Sequence, residues 1–123
     1  MISKFLFFFL IIILSIRISF SSNVYKLKCK NVDDNTVHFF VIHKDYKIVN
    51  ILPNGYEFDY ILEQENNEKI TAYFYQNKKN FIKKFVLKFN LNDNILYDEM
   101  YEGKNLNNLN LKDKKIFTCN NDK

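Results

Sequence analysis

The sequence predicts an all-β domain, a small antiparallel β-sandwich of about seven strands, and three observations carry that expectation. Beyond residue 22, apolar side chains recur with a period of two, the spacing that sends alternate residues to opposite faces of a strand. Turn residues or short polar runs interrupt this pattern every eight to twelve residues or so, as in sandwiches and small barrels. No stretch beyond residue 22 carries the 3.6-residue periodicity of a long helix.

Taken in order, Tyr25, Leu27 and Cys29 alternate with Lys26, Lys28 and Lys30, giving one apolar and one charged face. Val37–His43 is a β-branched and aromatic run suited to a central strand, and Tyr46–Leu52 follows closely enough for a hairpin. Pro53-Asn54-Gly55 supplies a turn, since Pro presets φ while Asn and Gly accept positive φ. Tyr56, Phe58, Tyr60 and Leu62 alternate with Glu57 and Asp59 as a half-buried strand, and Glu63–Glu68 is expected to be a loop. Ile70–Tyr75 makes the next strand, Gln76–Asn80 a turn, and Phe81–Phe89 a long strand with Phe81, Phe85, Leu87 and Phe89 on one face. Ile95–Tyr101 suits a strand or a short helix. Residues 104–115 are Asn- and Lys-rich and expected to be mostly loop, with a short strand near Leu109–Leu111, before Ile116–Cys119 closes the domain.

The first 21 residues have the order of a secretory signal. Lys4 precedes the unbroken apolar run Phe5–Leu14, and Ser19-Phe20-Ser21 places small side chains where a signal peptidase reads, so cleavage is expected after Ser21. A membrane anchor needs about twenty apolar residues, and Arg17 interrupts this run too early. Residues 22–123 then form one domain. Cys29 and Cys119 are the only cysteines, and in a secreted chain their expected use is one disulfide joining the two ends, two separate buried thiols being the alternative.

Charge limits the function classes. Loss of Lys4 and Arg17 with the signal takes the net charge from +4 to +2, too little for a nucleic-acid footprint. The chain beyond Ser21 retains one serine, Ser22, and no G-x-S-x-G elbow, which excludes a serine nucleophile. His38 and His43 differ by an odd number, so on one strand they face opposite sides and share no metal. Asp33, Asp34 and Asp45 read as solvated turns rather than a calcium loop, which needs about six to eight oxygens. No cofactor and no metal site is expected. What stands out is a basic hairpin: Lys78, Lys79, Lys83, Lys84 and Lys88, with Ile82 and Val86 between them and Tyr73 and Tyr75 alongside. Such a stripe suits an anionic lipid surface or an acidic partner, or else a solvated face whose lysines discourage sheet-to-sheet pairing.

Several segments in order resemble the transthyretin-like proteins, small secreted proteins of nematodes. The short strand ending in Cys29, the apolar run Thr36–Ile42, the Gly turn leading into Tyr56–Phe58, the strands 69–75 and 81–87, and Leu109-Asn110-Leu111 followed by Cys119 match that family's sequence of elements. The second cysteine pair usual in the family is missing. The resemblance implies a prealbumin-like sandwich outside the cell and a Cys29–Cys119 bridge. Hydrolase relatives of transthyretin use an Arg-bearing site, and no Arg remains after Ser21, so that activity is not expected. The expected function is therefore a secreted, non-enzymatic binding protein that contacts an extracellular protein or a lipid surface. The alternative is a carrier of small hydrophobic molecules in a lipocalin-like or interface cavity.

Overall fold

The computed structural model describes residues 24–121; the expected signal segment, residues 1–21, lies outside the described residues. Eight antiparallel strands follow one another: β1 Val24–Asn31, β2 Val37–His43, β3 Lys47–Ile51, β4 Glu57–Glu65, β5 Lys69–Asn77, β6 Ile82–Asn90, β7 Ile95–Gly103 and β8 Asn110–Asn121. Each pairs with its neighbours in sequence, and β8 pairs back with β1, so the sheet closes into an up-and-down barrel. The all-β, antiparallel class is as expected. The arrangement differs from a seven-strand sandwich, because residues 112–115 belong to a full strand and that strand completes the ring.

Two expected loops are strands. Glu63–Glu65 extends β4, with a bulge between Leu62 and Gln64. Residues 110–121 form one twelve-residue strand in a register that no apolar alternation announces: Lys115 lies opposite Asp98, and Lys114 opposite Glu99, its ion-pair partner. A second bulge between Met100 and Tyr101 sharpens the twist a small barrel needs. Ile95–Gly103 is a strand throughout, which settles its ambiguity.

Asparagine makes many of the connections. Side-chain oxygens of Asn31, Asn54, Asn66, Asn90 and Asn105 each accept a backbone N–H two residues on, the Asx turn that lets this residue substitute for a backbone turn. Asn35, Asp45 and Asn94 take the left-handed conformation that Asn and Asp tolerate. Gly103 has a separate role. A Cβ there would collide with the Asn108 carbonyl oxygen, so only glycine lets the 104–109 connection fold back over β7.

An eight-stranded barrel has an interior wide enough for side chains or one small ligand. Here one end is filled. Leu27, Ile42, Ile48, Ile70, Phe89 and Leu96 pack there with no water-accessible surface to speak of, alongside the Cys29–Cys119 disulfide that spans the β1–β8 seam. The cysteines sit directly opposite one another with Cα atoms 4.1 Å apart, the close spacing of a pair that exchanges no backbone hydrogen bonds. The expected bridge is present. Membrane barrels turn an apolar band outward; the outer face here mixes Lys28, Lys30, Asp59, Lys88 and Lys114 with Phe39, Val41, Ile61 and Tyr75.

Candidate functional site

The barrel interior changes character toward the end that carries the 32–36, 52–56, 78–81 and 104–109 connections. The inward-facing phases of four strands switch there from apolar to polar: His38 on β2, Asn50 on β3, Asp98 on β7 and Lys115 on β8. They line a cavity of about 190 Å³, with Leu52 and Gln76 at its rim. Its remaining wall is aromatic. Phe74 stacks on Phe85 at 4.6 Å and on Phe58 at 6.1 Å, and Tyr60 meets Phe74 edge-on at 4.8 Å. Phe58 is partly exposed, so the aromatic row runs from the interior out to solvent.

The polar groups are unequally satisfied. His38, buried edge-on against Phe117, places Nδ1 3.1 Å from the Asn50 side-chain oxygen. Burial and the nearby Asp98 charge push the Tyr60 phenol well above its ordinary range, with the Asn50 amide opposing them, so Tyr60 stays a hydroxyl. Asp98 is the exception. Among the described residues no hydrogen bond or ion pair engages its carboxylate; Lys115, its register partner, lines the same cavity, is exposed to solvent and acts on Asp98 only as a nearby charge. Burial raises its pKa from 3.8 to about 6; Lys115 opposes that rise, while Asp113 and Glu99 add to it. The cavity thus holds several aromatic rings, one buried hydroxyl, and one half-buried carboxylate that makes no hydrogen bond or close ion pair, with Lys115 nearby. That is the composition of a ligand site, mostly apolar with a few converging polar groups. A larger hollow of about 780 Å³ at the opposite end, bounded by Val24, Lys44 and Leu91, is shallow, and its lining holds one aromatic ring, Tyr25, and no carboxylate.

The residues singled out from sequence occupy a different place. Tyr73, Tyr75, Lys84 and Lys88 lie on the outer wall, and they are engaged there. The Lys84 ammonium sits 5.4 Å from the Tyr73 ring and 5.6 Å from the Tyr75 ring, which touch each other edge-on at 5.5 Å. Lys88 lies 2.7 Å from Glu99, which also accepts a hydrogen bond from the Tyr101 hydroxyl at 3.0 Å and faces Lys114 at 3.9 Å. Lys83 belongs to the opposite phase of β6, its ammonium 5.7 Å from the Phe81 ring. Lys78 and Lys79 stand exposed at the β5–β6 turn. The five lysines therefore do not form one surface. Sequence reasoning set His38 aside and did not reach Asn50, Asp98 or Lys115; the available signal was a polar residue in the apolar phase of each strand, as in Leu96-Tyr97-Asp98 or Lys115-Ile116-Phe117.

No protein-family model, curated protein or solved structure matches this chain.

Proposed function

We propose that this protein is an extracellular carrier or scavenger that takes a small, amphipathic molecule into the polar end of its barrel. One observation supports this reading above the others: a closed eight-stranded barrel is packed solid at one end and leaves a 190 Å³ aromatic-walled cavity with an unpaired carboxylate at the other. The volume corresponds to about six waters at roughly 30 Å³ each, so the ligand is the size of a single ring with a short arm rather than a fatty acid. A location outside the cell is supported by the disulfide and by the signal-like start of the chain. Binding rather than catalysis is our reading of the site. Kinship with the transthyretin-like proteins is not required by it.

Contact with an anionic lipid or an acidic protein through the basic hairpin is the weaker proposal. Lys84 and Lys88 already serve the outer wall, leaving Lys78 and Lys79 as the exposed pair at the turn.

A screen of small ring compounds against the ¹⁵N-labelled, disulfide-bonded protein tests the reading. Shifts should concentrate at His38, Tyr60, Phe74 and Asp98. Perturbation confined to the outer wall, or binding to anionic vesicles that Lys84→Glu with Lys88→Glu abolishes, would replace the cavity with the hairpin. Secretion is checked separately: protein recovered from the medium of a eukaryotic host should begin at Ser22.

A further inference from the structure

Resting on that cavity reading, we propose that the ligand is a small organic cation, an ammonium borne on a ring or short apolar body, with Asp98 as its counter-ion and the Phe58–Phe74–Phe85 row as its wall. The geometry gives three reasons. First, a carboxylate partly withdrawn from water carries a cost unless another group pairs with it, and half-buried Asp98 makes neither a hydrogen bond nor an ion pair among the described residues. Its opposite residue across the strands, Lys115, is solvent-exposed and forms no ion pair with it. A bound cation is the missing partner.

Second, the neighbouring charges favour a positive guest. Asp113, two residues before Lys115 on β8, acts on Asp98 as a second negative charge. Tyr60 remains protonated and presents a neutral hydroxyl, while the Asn50 oxygen faces His38. An anionic guest would have to lie against Asp98, with the solvent-exposed Lys115 at the cavity wall as the one lysine among the lining residues.

Third, the wall suits the guest. Cations are drawn to the faces of aromatic rings within about 6 Å of the centroid, and stacked Phe74 and Phe85 offer such a surface beside an edge-on tyrosine. The same rings accept the body of an aromatic amine by offset or edge-to-face packing.

Three probes of nearly equal shape separate charge from size: 2-phenylethylamine, 2-phenylethanol and 3-phenylpropionate, titrated by calorimetry and by NMR shifts at pH 7.4. The amine should bind at least about tenfold tighter than the alcohol, and the carboxylate more weakly than either. Asp98→Asn, which keeps the side chain's shape, should bring the amine down to the alcohol's affinity and leave the alcohol unchanged. If the alcohol or the carboxylate matches the amine at the mouth, or if Asp98→Asn preserves the amine's preference, the cation inference is overturned while the cavity reading stands. If none of the three binds while other ring compounds still shift the mouth resonances, the cation inference again falls alone. If nothing binds at the mouth, both are wrong.

Discussion

Asp98 and Glu99 are consecutive carboxylates on one strand, and they meet opposite fates. Asp98 faces the cavity, where partial burial strips some of its water and no side chain forms an ion pair with it, so its pKa rises to about 6. Glu99 faces outward, yet its side chain is only 7% exposed, because Lys88, Lys114 and Tyr101 close over it. Burial works against its charge too, but hydrogen bonds from Lys88 and Tyr101 and the two lysine charges prevail and hold its pKa below the ordinary 4.5. A strand's alternation thus assigns one carboxylate to structure and its neighbour to a site. Desolvation alone does not distinguish them; the presence of partners does.

Both environments depend on the ring staying closed, and the largest expected effect comes from opening it. Replacing Cys29 and Cys119 with Ala should cost about 4–5 kcal/mol, the chain-entropy value for a loop of this length, with the cysteines 90 residues apart. Urea denaturation measures it. A loss under about 1 kcal/mol would mean that packing holds the β1–β8 seam without the bridge.

Asp98→Asn should stabilise the unliganded protein at neutral pH. The folded-state pKa is raised from 3.8 to about 6, so the folded form binds more protons than the unfolded one across that window. The resulting penalty is fully present above about pH 6 and vanishes below about pH 4. Its size is about 2–3 kcal/mol. The melting temperatures of wild type and variant should therefore diverge at pH 7 and converge at pH 4. A destabilised variant at pH 7 would show that Asp98 holds the barrel together rather than waiting for a ligand, a common trade between stability and function.

Glu99→Gln should do the reverse and cost about 1–2 kcal/mol, less than a fully buried pair because both lysines remain half-exposed. Its pH dependence runs the other way. Glu99 has a lowered folded pKa, so its stabilisation is present above 4.5 and is lost as pH falls through the folded value. Equal losses for the variant at pH 3 and pH 7 would refute the ion-pair account.

Lys84→Glu should have the smallest effect, about 0.5–1 kcal/mol, from losing cation–π contact with Tyr73 and Tyr75. Tyrosine fluorescence and thermal melting both report it. Lys84→Met, which retains the apolar stem, should fall between the two; if it matches Lys84→Glu, the charge is the whole contribution.

Much of this barrel was legible from period-two alternation, because β2, β4, β5 and β6 bury an apolar phase that a reader can count. Residues 112–115 were not, since all four are charged: Lys114 meets Glu99 on the outer face, and Lys115 lines the polar end of the cavity, where no apolar side chain is needed. That one strand decides between an open sandwich and a ring. Missing it also hid the site: Asp98 faces inward only once Ile95–Gly103 is a strand, and Lys115 joins the cavity only once β8 extends past Asp113. The asparagines, which no sequence motif singles out, make several of the chain's turns. The lysine stripe was conspicuous because charge is easy to count. Its partners, Glu99 and the paired tyrosines, come together only across strands.

The seam disulfide has a mechanical consequence. Val24 and Asn121 leave the barrel at the same end, and the last β1–β8 pairs outside the bridge are Lys28 with Asn120 and Leu27 with Asn121. A pull applied to Val24 and Asn121 opens these β1–β8 pairs and strips residues 24–28 from β2 before it reaches a covalent S–S bond. Tension then passes from one end to the other without crossing the ninety residues between the cysteines. Tethered at both ends, the barrel would carry load as a staple does, with its cavity shielded from the strain.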